Sequence, residues 1–214
     1  MNDDILKIIE SGDRNDFRAW LAKYADTPEN VRPGEATLAQ KAYYRGCRDW
    51  APELAQRLTE DDFGTSCTLG DLHRVTLHIE ANPAIVNELS NDGFVPLCLA
   101  AAFGHEQMVD LLINCDAHPN AQSQSLGGVR PLDSAIFGRS QSIIHKLLEA
   151  GADPNLAQAG GFYPIHGAAQ NGNLEVVKDL VAHGAKTSAV TDDGKTASGL
   201  GGAHPHIVDY FAAF

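Results

Sequence analysis

Cys98, Asp133 and His166 offer a nucleophile, an acid and a base at intervals of 35 and 33 residues. Such side chains support acyl transfer when nucleophile and base share a hydrogen bond and a third group orients the base. A second candidate is His204-Pro205-His206, with His183 nearby. Imidazoles suit a transition metal, but a zinc site needs three or four ligands in defined geometry, and His-x-His alone falls short. Glycine-rich runs at 125–130 (SLGGVR), 159–164 (AGGFYP) and 199–204 (GLGGAH) suggest phosphate loops. None carries the GK[ST] or GxGxxG frame that cradles phosphates. Tyr43-Tyr44-Arg45 lacks the basic neighbours a nucleic-acid stacking platform requires.

What these residues can do depends on the elements that hold them, and those elements repeat. A glycine closing a short helix recurs at Gly12, Gly46, Gly70, Gly104, Gly138 and Gly172, at intervals of 34, 24, 34, 34 and 34. Pro96, Pro131 and Pro164 open helices at intervals of 35 and 33, where the missing N–H is not needed. A period near 33 fits one extended hairpin plus two helices, a unit that cannot bury both apolar stripes alone. The single interval of 24 predicts a unit without its hairpin. Leu174, Val176, Val177, Leu180 and Val181 show the helical spacing of one such stripe. Gly151, after Leu147-Leu148, supplies the left-handed stop, and Asp153-Pro154-Asn155 starts an exposed turn. Equivalent positions in stacked units lie about 10 Å apart. Cys98, Asp133 and His166 therefore stand in a row beyond hydrogen-bond reach, and the triad is rejected.

In chain order, residues 1–30 form a degenerate first unit, with helices near 3–10 and 14–23. Its stripes are Ile5, Ile8 and Ile9 on one helix and Phe17, Trp20 and Leu21 on the other. Ala25 to Pro33 is a polar connector. Residues 34–59 and 61–90 hold two further helix pairs; His78 takes an apolar position in the second of these and is expected half-buried. Residues 91–190 hold three well-formed units, Ser123-Gln124 being an insertion in the middle one. Arg139 stands in that unit where the others have glycine, Gly138 falling one residue early. Residues 191–214 form a shortened C-terminal capping unit.

The stretch Asp92–Ile113 (DGFVPLCLAAAFGHEQMVDLLI), the run 127–155 and the unit around Pro164-Ile165-His166-Gly167-Ala168-Ala169 resemble the ankyrin repeat, with Val95 and Cys98 in place of its usual Thr and His. The resemblance implies an all-α, ankyrin-repeat solenoid of about seven helix-turn-helix units with short hairpin loops. It implies that His166 ties adjacent hairpins together by hydrogen bonds, and that hairpins and first helices line a concave face. Carried over position by position, the partner-binding residues are Asn91, Asp92, Phe94 and Phe103, then Val129 and Phe137, then Phe162, Gln170 and Asn171, then Asp192, Asp193 and Lys195. Ala102 and Leu126 belong to the same lines, and Tyr44 and Arg45 precede them.

Composition narrows the function classes. The net charge is −12 over 214 residues, with no basic arm to neutralise phosphates, so nucleic acid is not expected as a partner. The four cysteines show no CxxC pair and read as thiols of a reducing compartment. No run of 18 apolar residues predicts a membrane span, and the first residues lack the pattern of a secretory signal. The expectation is a monomeric, cytoplasmic, non-catalytic protein-interaction module without cofactor or metal. It would act as adaptor, regulator or inhibitor, with four phenylalanines as anchors and Asp92, Asp192 and Asp193 steering a basic patch. The alternative is an enzyme or metal-dependent regulator with a site near Tyr43, Cys47 and Trp50 in the degenerate N-terminal half.

Overall fold

The computed structural model describes residues 2–24, 36–57 and 62–213, and within them 14 α-helices and no β-strand. The connector 25–33, and the ends of the second helix pair at Gly34 and Leu58, lie outside the described residues, as does the side chain of Leu21. The chain forms two compact units, residues 1–85 with 89–93 and residues 86–88 with 94–214.

In the first unit the helices are α1 (Asn2–Ser11), α2 (Arg14–Tyr24), α3 (Leu38–Tyr44), α4 (Ala51–Arg57), α5 (Phe63–Leu69) and α6 (Leu72–Ala81). Ile5, Ile9, Phe17 and Trp20 are buried, Ile8 only partly. Phe17 stacks on Trp50 with ring centroids 4.5 Å apart. Helix starts follow from local chemistry. Gln40 Nα donates to Thr37 Oγ1 (3.1 Å) while Thr37 Nα donates to Gln40 Oε1 (2.8 Å), a reciprocal cap. Asp62 accepts from the Thr65 backbone N–H at 2.8 Å. His78 is half-buried, edge-on to Phe63 with ring centroids 5.8 Å apart.

The second unit carries α7 (Pro96–Ala102), α8 (Glu106–Asn114), α9 (Pro131–Phe137), α10 (Gln141–Glu149), α11 (Pro164–Gln170), α12 (Leu174–Ala182), α13 (Ala197–Leu200) and α14 (Pro205–Phe211). First helices α7, α9, α11 and α13 pack in that order, and second helices α8, α10 and α12 form a parallel row. Between them lie Leu97, Ala100, Val109, Leu112, Leu132, Ile136, Ile143, Leu147 and Leu148, all buried. Leu111 is only half-buried, and Met108, one turn earlier, is buried in its place. The solenoid is thus a sum of nearest-neighbour interfaces, each unit hiding its apolar face on the next.

The turn between first and second helix needs a left-handed residue. Gly12, Gly46, Gly70, Gly104 and Gly172 hold φ between 70° and 86° there. In the fifth unit that conformation falls on Arg139, at φ 56°. Gly138 before it is an ordinary right-handed residue, but a β-carbon on it would stand 2.5 Å from the Ala102 carbonyl oxygen. Close approach of the backbones, not turn geometry, requires glycine at 138.

Candidate protein-interaction face

Position 98 and its equivalents 133 and 166 open the first helices, and the structure shows what each does there. His166 is fully buried. Its Nδ1 accepts from the Tyr163 backbone N–H at 3.1 Å, which leaves Nε2–H to donate to the Ala189 carbonyl at 3.0 Å in the hairpin of the following repeat. In the preceding repeat two residues share that work. Asp133 accepts from the Arg130 backbone N–H (3.1 Å), and Arg130 Nη1 donates to the Ala157 carbonyl (3.0 Å) of the next hairpin. Cys98 Sγ lies 3.8 Å from the Val129 carbonyl and accepts from Ser123 Oγ at 3.4 Å. Burial pushes the Cys98 thiol up to about 12, against the pull of hydrogen bonds from Ser123 and Ser134. No thiolate is available near neutrality, and His166 has no lone pair left for a base. The row is a series of hairpin tethers.

The other chemical candidates also have structural roles. His204 Nε2 donates to the Gln170 carbonyl (3.2 Å) and His206 Nε2 to the Gly172 carbonyl (2.9 Å), docking α14 onto the end of α11. His183 Nδ1 donates to the Asp179 carbonyl (2.8 Å), the main reason its pKa is raised. Among the described residues no three His, Cys, Asp or Glu gather as a metal site would need. In the first unit Cys47 Sγ donates to the Ile9 carbonyl (3.6 Å), and Arg48 lies over the Tyr43 ring at 5.3 Å.

Phe137 and Phe162, with Gln170 and Asn171, line one open cleft of about 290 Å³ between the fifth and sixth repeats. Its floor is Ile136 and Gly167, and a β-carbon on Gly167 would crowd Ile136 Cγ2 at 3.1 Å. Asp133 and Arg139 are its two charged lining residues. Burial raises the Asp133 carboxyl to about 6, opposed by the Arg130 N–H and guanidinium. Phe137 is 79% exposed, whereas Phe162 is half-buried against the His166 ring, centroids 5.4 Å apart. Asn171 Nδ2 donates to the Ile136 carbonyl at 3.0 Å, so this amide also staples two repeats. Gln170 is exposed.

Two of the residues expected at the binding face are turned to other work. Val129 is only 9% exposed, because the lengthened hairpin closes back on it through a Ser123 N–H to Val129 carbonyl bond of 3.0 Å. Asp92 is 8% exposed, and its carboxylate accepts from Tyr44 Oη (2.7 Å) and Ser90 Oγ (2.6 Å); it cannot steer a partner. Asn91 is exposed beside Asp62, and Phe94 and Phe103 are half-buried. Asp192 is exposed, and Asp193 pairs with Lys195 at 2.8 Å. Arg139 and Gln158, both at the cleft, are absent from the sequence-derived set. Arg139 had a visible signal, a non-glycine at the left-handed position; Gln158 had none.

Comparison with known proteins agrees with this architecture. The family model for three ankyrin repeat copies matches residues 65–158, and that for a single ankyrin repeat matches 160–192, together more than half of the chain. The ankyrin repeat protein YahD of Escherichia coli is 26% identical over 195 residues, 85% of this chain and 96% of that protein. An ankyrin repeat protein of fowlpox virus is 30% identical over 114 residues, 53% of this chain and 33% of its own. The human BCL-6 corepressor-like protein 1 is 32% identical over 121 residues, 56% of this chain and 7% of its own. The chain thus spans a small part of the latter two relatives and nearly all of YahD. No helix among the described residues is long and apolar enough to cross a membrane. With its hairpins, paired helices and inter-repeat tethers, the chain is an ankyrin repeat protein, a member of a family of protein–protein interaction modules.

Proposed function

We propose that the chain is a non-catalytic, monomeric adaptor, regulator or inhibitor that grips a protein partner on the concave face of its hairpins and first helices. The single observation that carries this reading is Phe137: a large aromatic side chain left 79% exposed at the mouth of a cleft, where interface centres are enriched in aromatic residues. Phe103, Phe162, Gln170 and Asp192 extend the surface on neighbouring repeats, while Val129 supports it from within. The net charge of −12 favours a protein partner over nucleic acid. Within the row Cys98, Asp133 and His166 the buried thiol and the doubly bonded imidazole are both committed to structure, which favours a non-catalytic role. The working compartment in this reading is the cytoplasm. Capture of a natural partner by the parent chain and by a Phe103→Asp/Phe137→Asp variant tests the proposal. Loss of the partner is the expected result, and undiminished capture would remove these residues from the site.

A further inference from the structure

The fifth repeat gathers three departures from the pattern of its neighbours. Leu126 and Phe137 are the two most exposed large apolar side chains among the described residues, at 75% and 79%. Arg139 holds φ 56° where five other repeats place glycine. A left-handed non-glycine residue carries conformational strain, and such strain persists where a site uses it. The guanidinium has no ion-pair partner among the described residues. The other charged group at the cleft, Asp133, is buried and bonded to the Arg130 backbone. The charge offered to solvent there is therefore that of Arg139, beside an apolar wall and the neutral amides of Gln170 and Asn171.

We propose that this cleft docks a linear peptide that seats one bulky aliphatic or aromatic side chain against Phe137 and Phe162 and pairs an Asp or Glu, one or two residues away, with Arg139. The proposal rests on the reading that this face binds protein. Volume permits it: a cavity of about 150 Å³ accepts a benzene ring, and the cleft has about 290 Å³. The planar guanidinium matches a carboxylate in a two-point bond. A phosphorylated peptide calls for a cluster of arginines, and one Arg lines this cleft. The amides of Gln170 and Gln158 suit a peptide backbone, offering both donors and acceptors.

Panning a random heptapeptide phage library on the full chain tests this, with Phe137→Ser, Arg139→Gly and Arg139→Glu chains in parallel. The parent should enrich peptides with a bulky apolar residue and an acid within two positions. Arg139→Gly should unfold at an equal or higher denaturant concentration, because the strain is relieved, yet bind the selected peptide about tenfold more weakly. Arg139→Glu should enrich peptides with Lys or Arg in place of the acid. Peptides lost in Phe137→Ser but lacking an acid, or selection of basic peptides by the parent, would overturn the pairing with Arg139 and leave the face itself standing. Peptides that bind all four chains alike would overturn both readings. No enrichment on the parent would overturn the peptide proposal and leave the face to be decided by partner capture.

Discussion

The Ala102 carbonyl oxygen occupies the space that a β-carbon on Gly138 would need, 2.5 Å away. Two adjacent repeats approach so closely there that glycine is retained for clearance, and the left-handed turn passes to Arg139. Opposite effects follow from neighbouring substitutions. Gly138→Ala should destabilise by about 1–3 kcal/mol through forced displacement of backbone, despite the better helix propensity of alanine. Arg139→Gly should stabilise by about 1 kcal/mol by removing the left-handed penalty. Urea midpoints of the two variants against the parent decide the signs.

Leu147 is fully buried between α10 and its neighbours. Leu147→Ala should cost about 2–5 kcal/mol, the loss of burial plus a cavity. Because stability in a repeat array is carried by adjacent interfaces, the damage should be local first. Hydrogen exchange should rise in α8, α10 and α12 before α1 or α2.

Asp133 predicts an acid-side stability gain. Its folded carboxyl is raised to about 6, above the ordinary value of 3.8. Between those two values the folded chain holds a proton that the unfolded chain has released, so stability falls as pH rises through that window. The contribution present below pH 4 and lost above pH 6 is up to about 3 kcal/mol. Asp133→Asn keeps an oxygen for the Arg130 N–H and removes the titration. Its urea midpoint should exceed that of the parent at pH 7.5 and converge with it at pH 4.

The thiols should separate by reactivity. Cys67 and Cys98 are buried, and burial raises both pKa values. Cys47 and Cys115 are partly accessible. Iodoacetamide followed by peptide mass mapping should label Cys115 and Cys47 in the native chain, with Cys67 and Cys98 labelled only as fast as their repeats open.

Much of this architecture is legible in the sequence because each unit is punctuated by residues with one physical use. Pro96, Pro131 and Pro164 could only begin helices, and Gly104 and Gly172 could only end them in a left-handed turn. The role of His166 came from the resemblance to the ankyrin repeat rather than from spacing alone, and its bond to Ala189 in the next hairpin agrees with it. Side-chain direction within the hairpins was not legible. Phe94, Val129 and Phe162 precede their helices at the same register, yet Val129 is buried and the phenylalanines are half-exposed. Loop length and partners decide that, and both are set by tertiary context. The burial of Asp92 was not legible because one of the two donors to its carboxylate, Tyr44 Oη, comes from α3, 48 residues away in sequence. Arg139 could be seen as an irregularity, but its place at a cleft required the packing of α9 against α11.

The most direct test is an amide hydrogen-exchange footprint of the chain, alone and bound to a partner that it captures. Protection concentrated at 125–130, 136–140, 158–163 and 170–171, with α8, α10 and α12 unchanged, is the result expected of binding through hairpins and first helices. Protection confined to the second helices, leaving Phe137 and its neighbours untouched, would contradict it.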